Sequence, residues 1–543
     1  MKKSLRILII VFAVVVAAVV FFAAPNLNPL YSDGLSFWAF VITVGVAAIL
    51  VYRGVFTIAS SARGGSTVSM GKFHPAFLVV AAAPWAILVV VGIFGLPAFH
   101  SSRYRDQMPQ PETRTFAKDV QPIDVNQLPI VDSDLAYNLA DKKLGEKPDL
   151  GSQVTLGTPT IEKVDGKLVW AVPLEHSGFF KWLANMSGTP GYIVVSATDP
   201  RDVTYVDKYK IKYQPDAYLL DNLERHARLS GGLFTGLTDY SFELDDSGRP
   251  YWVITTYKNL VGFSLPEATG ALVVDAQTGK AERYTIADMP SWVDRVQPED
   301  FIMNQIDNRG QYIHGIFNFS NKDKFETTPG DVIVYDNGRC YLFAGLTSVG
   351  ADQSSTGFML VDMVTKKPYI YSMGGATQSA AQGSAEGKVQ NLKYTASYPL
   401  ITNVEGQPTY FMTLKDDAGL IKQYAFVSVE DYTTVGTGES VQDALDNFES
   451  AERGTSDGNV IESSAKKSAA GTVERFAAEA QNGSTVYEFT LKGDPTRIFT
   501  STYDVSDQLA ITKEGDSVKI TYIPEEGGVN TVASFVNTSI SQK

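Results

Sequence analysis

Few residues in this 543-residue chain are placed to do chemistry. Cys340 is the single cysteine, which excludes an intramolecular disulfide and a cysteine-built metal site. The five histidines, His74, His100, His176, His226 and His314, are scattered, with no His-x-x-x-His pair. No metal site and no cofactor are expected from them. A hydrolase would need a nucleophile held beside a base. The chain has no Gly-x-Ser-x-Gly elbow in a strand-to-helix setting, no Ser-x-x-Lys with the companion motifs of the penicillin-binding type, and no phosphate loop. Adjacent carboxylates occur at Asp245-Asp246 and Glu525-Glu526, in turn-like settings. A glycosidase needs two acids facing each other across a cleft, and adjacency in sequence does not supply that. No catalytic residue is assigned, and an enzyme is the less favoured reading.

Residues 176–186 read as a short helix folded onto its own sheet or, less favoured, as a docking element. This is the most apolar excursion outside the membrane end, and it carries Phe179, Phe180 and Trp182. These three are the candidate partner-binding residues, exposed for a protein partner or the membrane.

The excursion belongs to a pattern that recurs four times between residues 158 and 434. Each copy is a polar turn closing on glycine, an aromatic strand, a variable excursion, and a β-branched strand ending in an acidic turn. The paired segments are 164–172 with 191–199, 246–254 with 270–279, 336–343 with 357–365, and 404–412 with 424–431. Glycine accepts positive φ, so Gly166, Gly248, Gly338 and Gly406 are expected where the chain reverses. Helices are expected before the first three copies. The first is capped by Asp132 or Ser133 and ended by Gly145. The second is opened by Pro215 and stopped by Gly231-Gly232, and the third is opened by Pro298. No helix is evident before the fourth copy, and the small, glycine-rich residues 374–388 read as a flexible loop. An amphipathic helix at 440–451 aligns Val441, Leu445 and Phe448.

The fold class is therefore α+β: three N-terminal transmembrane helices, tandem α+β modules with antiparallel sheets, and a C-terminal small β-barrel. Residues 1–100 form the membrane anchor and 101–132 a Pro-rich tether, read as a solvated linker. Residues 133–296 hold the first and second modules and 297–452 the third and fourth. Residues 453–471 are a linker, and 472–543 a small barrel of the oligonucleotide-binding type with five short strands.

Apolar runs at 7–24, 35–52 and 76–99 are long enough to span a bilayer and hold no Lys, Arg, His, Asp or Glu. Ion or proton transport is disfavoured for that reason. The N-terminus carries Lys2, Lys3 and Arg6, and the loop after the second span carries Arg53, Arg63 and Lys72. The loop at 25–34 has no Lys or Arg. This asymmetry puts the N-terminus in the cytoplasm and everything beyond His100 outside it, on a multi-pass protein of the cell membrane. Those six cations against Asp33 give the first hundred residues +5, so a chain at −14 carries −19 beyond them. An acidic outer part argues against nucleic acid as a partner.

The first copy resembles a PepSY-type module. The resemblance rests on the helical segment 135–145, the turn Asp165-Gly166-Lys167 and the strand Tyr192-Ile193-Val194-Val195. In the second copy, residues 270–280 are similar to the closing strand and turn of that family. The excursions between strands are longer than in the family, and no peptidase domain accompanies the modules. The resemblance implies small α+β units, membrane-tethered, that regulate extracytoplasmic peptidases or cell-wall enzymes by binding. A non-catalytic scaffold or regulator with an envelope protein partner is the leading expectation. A cell-wall-acting enzyme and a structural subunit of a membrane complex are the alternatives.

Overall fold

Lys2–Ala23, Ser32–Tyr52 and Ala76–Phe94 are helices long and apolar enough to cross a membrane. The computed structural model describes residues 2–540, apart from 54, 61–65, 73, 126, 331, 337, 350–353, 457–466, 482–483, 503–504 and 524–528. The second and third spans are neighbours, joined by a bond from Trp85 Nε1 to Thr43 Oγ1 at 3.0 Å. The chain divides into two compact units, residues 1–444 and 445–543.

In the first unit the four copies become four antiparallel sheets with the same strand order. Module one runs through Thr160–Val164, Lys167–His176, Tyr192–Ser196 and Val203–Val206, each strand beside the next. Module two repeats this with Gly236–Leu244, Pro250–Val261, Ser264–Asp275 and Ala281–Thr285. Module three has Val332–Asp336, Arg339–Ser348, Ser354–Asp362 and Pro368–Ala376. Module four has Leu400–Val404, Gln407–Lys415, Ile421–Ser428 and Val435–Gly438.

The turn glycines occupy equivalent places. Gly166, Gly248, Gly338 and Gly406 all have φ between 73° and 89°. A second glycine is shared by three copies at the third strand. There a Cβ on Gly191, Gly270 or Gly357 would lie 1.8 to 2.1 Å from a carbonyl oxygen of the fourth strand or its end. No side chain fits that approach.

Each sheet is covered on both faces, which is why its strands read as nearly continuous apolar runs. The cover on one face is a helix preceding the sheet. Ser133–Gly145 packs Leu135, Ala136 and Ala140 on Val172, Leu174, Ile193 and Val195 of module one. Asp132 caps it by accepting from Leu135 N at 3.0 Å. Glu299–Gln311 packs Ile302 and Ile306 on Leu342, Met359 and Val361 of module three. Before module two, the helix expected from Pro215 is broken. A 3-10 turn, Leu219–Asp221, precedes the helix Leu223–Ala227, because Asn222 caps a fresh start by accepting from Arg225 N at 3.1 Å.

Module four corrects the sequence reading. Residues 374–388 are not simply a loop: Gln378–Lys388 is a helix capped by Thr377, whose hydroxyl accepts from Ala380 N at 3.3 Å. Its small residues have a purpose. Ala381 and Ala385 are fully buried between modules three and four, where a larger side chain would hold the sheets apart.

The other faces close a ring. Tyr192 of module one meets Phe242 and Trp252 of module two in one core. Val253 and Val273 of module two pack with Val293 and Val296, whose backbone continues to Met363 of module three through a bond of 2.9 Å. Phe343 and Phe358 of module three share a core with Tyr410 and Met412 of module four. Ile421 of module four packs on the module one core, and Lys415 is paired with Asp132. Four sheets built on the same four-strand order, with their first strands inward, follow the plan of propeller blades.

The tether is a second correction. Pro97–Asp106 and Phe116–Asp119 are helical, and Glu112–Thr113 adds a parallel strand to the outer edge of module three. Phe116 is buried between modules three and four. Ile123 N then bonds Asn403 O of module four at 2.8 Å, and Val131 N bonds Ala197 O of module one at 3.0 Å. Arg114 lies over the Tyr369 ring at 3.7 Å, and Arg103 reaches Leu260 O at 3.5 Å. The prolines forbid long regular elements, but short pieces pair with whatever edge each module offers. The segment is a belt around the ring.

The second unit is a closed five-stranded barrel. Its strands are Lys467–Gln481, Ser484–Leu491, Asp494–Thr502, Ser517–Ile523 and Val529–Asn537, in the order one, two, three, five, four and back to one. The first strand begins before residue 472 and serves both sides of the barrel. Residues 467–472 pair with the fourth strand and 473–481 with the second. Phe489, Phe499, Ile520 and Phe535 fill the interior. The amphipathic helix is Val441–Ser456, with Leu445 and Phe448 buried. Most of the linker expected at 453–471 and the Glu525-Glu526 pair lie outside the described residues.

Candidate functional site

The first strands of the four sheets converge on one cavity of about 860 Å³. Thr160 and Ile161 come from module one, Asp239 and Phe242 from module two, Ile333 from module three, and Leu400 with Phe411 from module four. Glu175, Arg295 and Lys415 also reach its wall. The cavity sits towards the end of the ring that carries the connections between second and third strands. A second cavity, of about 830 Å³, lies where the belt passes the turns at Gly166 and Gly338.

Beside the first cavity lies a buried group of acids around one arginine. Glu162 points out of the first strand of module one, and its Oε2 accepts from Leu244 N of module two at 2.8 Å. Glu243 lies in the first strand of module two and accepts from Asp294 N at 3.3 Å. Asp294 in turn accepts from Lys163 N of module one at 3.0 Å and from the Tyr335 hydroxyl of module three at 3.1 Å. Tyr335 OH also reaches Ile161 O at 3.1 Å. Arg295 donates to Glu299 at 3.2 Å and to Ser241 at 3.1 Å. The group thus ties modules one, two and three together through side chains.

Burial governs its charge. Desolvation pushes Glu243 up to about 8, against the pull of Arg295, and drives Glu162 well above the carboxylate range. Asp294 is raised by burial as well. Several acids share one guanidinium in a low dielectric, so the carboxyls that lack a partner favour the neutral form. Glu175, on the cavity wall, is pushed up to about 7 by burial and then by Asp216. Next to it His176 is buried, with both ring nitrogens unpartnered, and desolvation lowers its basicity.

The residues singled out from sequence fall elsewhere and are divided among themselves. Phe179–Ala184 is a short helix. Phe180 is 80% exposed and Phe179 44%, whereas Trp182 is 2% exposed and donates to Asp221 Oδ2 at 3.2 Å. Trp182 turns inward onto the segment that leads into module two, where its ring also meets Tyr218, and its two neighbours remain outside. Cys340 is a buried packing residue beside Leu342 and Met359, its thiol pushed up by desolvation. His314 is exposed and bonded to Asp323 at 2.8 Å.

Glu162 and Glu243 escaped the sequence reading. The available signal was an acid inside a first strand whose flanking strands are apolar on both faces. Among the described residues, no group of three or more His, Cys, Asp or Glu side chains is arranged to hold a metal ion.

No family model and no curated protein matches the chain. Among solved structures it is similar to a levansucrase variant from B. megaterium, at 9% identity and a TM-score of 0.18, over 76% of this chain and 97% of that one. A Trypanosoma rangeli sialidase aligns at 12% identity and a TM-score of 0.17, over 71% and 55%. An α-L-arabinofuranosidase from Lactobacillus brevis aligns at 12% and 0.16, over 50% and 70%. Likeness at this level carries no argument about activity.

Proposed function

We propose that this protein is a membrane-anchored, non-catalytic scaffold or regulator that works outside the cytoplasm and binds an envelope protein, such as a peptidase or a cell-wall enzyme. The observation that carries the reading is how the central ionisable groups are used. Glu162, Glu243, Asp294 and Arg295 bond one sheet or connector to the next. They brace a framework around a cavity whose wall includes Ile130, Ile161, Tyr398 and Phe411. Rigid sheets with a concave apolar site suit recognition. The PepSY-type resemblance of the first two modules points to the same class of role. Loop charges favour a cytoplasmic N-terminus and an outer ring.

The test is site-specific crosslinking in intact cells. A photoreactive residue replacing Thr395, exposed on the cavity wall, is expected to capture one envelope protein. The same residue at Asp246, in the turn at the other end of the ring, is expected to capture none. Equal adducts at both positions, or none at Thr395, would sink the reading.

A second reading, a cell-wall-acting enzyme, rests on Glu175 and Asp239 sharing the cavity wall, with burial pushing the Glu175 carboxyl up to about 7. Release of sugar or peptide from purified cell wall, abolished by Glu175→Gln, would favour it.

A further inference from the structure

Several large exposed apolar side chains of modules one to three stand near the places where the chain meets its own membrane spans. Arg225 of module two donates to the carbonyls of Phe21 and Phe22, the last turn of the first span, and to Leu219 O. Leu27 N, just past that span, bonds Leu233 O at 2.7 Å, and Asn28 bonds Phe234 O at 2.9 Å. Tyr31, at the start of the second span, bonds Tyr257 O at 2.6 Å. At the third span, a Cβ on Gly262 would lie 3.0 Å from Val91, and one on Gly95 would lie 2.9 Å from Ser264. Tyr104 bonds Gly95 O at 2.6 Å, and its ring packs against Tyr312.

Around these contacts stand large side chains with little protein over them. Phe234 is 60% exposed, Leu220 58% and Leu229 49%. Phe180 adjoins them through Phe179 and Tyr218. Phe317 and Phe319, just beyond Tyr312, are 77% and 84% exposed, and their rings meet edge to face. Single exposed apolar residues are ordinary, but a concentration continuous with the ends of three membrane helices is not.

We propose that this end of the ring is seated in the bilayer its own spans cross, with Phe180, Leu220, Phe234, Phe317 and Phe319 in the interfacial layer. The occupant of the surface is lipid, because the surface continues directly from the span ends. Arg103 and Arg105 on Pro97–Asp106 lie at headgroup level, where cations meet lipid phosphates. The ring is thereby held in one orientation, with the end that carries the first cavity turned towards the membrane. This surface does not depend on the binding role proposed above.

Strand Pro250–Val261 supplies the internal control. It spans roughly 40 Å at about 3.3 Å per residue, with the Asp246 turn at one end and Leu260 at the other. Full-length protein carrying Cys340→Ala is given one new cysteine, as Phe180→Cys, Phe234→Cys, Phe319→Cys or Asp246→Cys. Each is nitroxide-labelled in phosphatidylcholine nanodiscs. The first three labels are expected to be more accessible to oxygen than to a water-soluble nickel chelate, with the ratio reversed at Asp246. Nickel accessibility at all three equal to that at Asp246 would overturn the proposal. So would shielding of the three from both reagents, which would mark a protein partner in place of lipid.

Discussion

At one end of the ring the turns from first to second strands are short, polar and nearly interchangeable, each with a glycine at positive φ. At the other end the connections from second to third strands have little in common. Module one inserts a helix bearing Phe179 and Phe180, and module two extends a tip to Val91 of the third span. Module four makes a tight polar turn in which Asp416 accepts from Ala418 N and Leu420 N, both at 3.0 Å. Those amides hold the Asp416 carboxyl below the usual range, the bond from Leu420 most of all. Turns of the first kind are dictated by strand twist and tolerate few residues. Connections of the second kind bear no such constraint, so they take on the character of what they face.

The sharpest way to break this comparison is through the shared glycines. Gly270→Ala sets a Cβ 2.0 Å from Tyr284 O and is expected to cost about 3 kcal/mol. Gly166→Ala, with open space around it and only its φ of 78° to strain, should cost about 1 kcal/mol. Thermal melts of both variants in detergent check the ranking, and a Gly270→Ala protein as stable as Gly166→Ala refutes equivalent sheets under equivalent constraint.

Next in size is the buried acid group. The Glu243 carboxyl is raised in the folded state, so the folded chain holds a proton that the unfolded chain has lost. That contribution is complete below the unfolded value of about 4.3 and fades as pH rises towards about 8. Glu243→Gln is expected to flatten the fall in melting temperature between those limits. An unchanged pH profile would remove Glu243 from the account.

Smaller effects follow. Cys340→Ala should leave any partner binding intact and cost about 1 kcal/mol, read from the same melts. Phe180→Ser, at the variable end, should change the stability of detergent-solubilised protein by no more than about 0.5 kcal/mol. A loss of several kcal/mol there would mean that the tip belongs to the packed core.

The spans, the four repeats with their glycine turns, and all five barrel strands were legible because each is a local pattern. Apolar length marks the spans, and alternation bounded by turns marks the strands. The helix Gln378–Lys388 was hidden because Ala381, Gly383, Ala385 and Gly387 have no apolar stripe. The close approach of two sheets selects small residues there, and it is invisible along the chain. The belt was hidden for a similar reason, since its short pieces find pairing partners only in modules hundreds of residues away. Away from the cavity, the apolar excursion stands out in the sequence, but composition does not say which of its rings turns inward, and Trp182 alone does. Glu162 and Glu243 looked like ordinary strand charges, because nothing local says that a neighbouring sheet will cover them.

The belt also fixes an order of events in synthesis. Val120 O accepts from Asn403 Nδ2 across a sequence separation of 283 residues. The segment leaves the ribosome with the membrane anchor, long before module four exists. Until Asn403 arrives, Phe116 and the inner faces of modules three and four have no complete cover, and closure of so distant a contact is slow. The last module of the ring to be translated therefore captures residues that precede the first. A ribosome that stops within module four leaves an open ring tethered to the membrane, with its aromatic core showing, which is the form that quality-control proteases would meet.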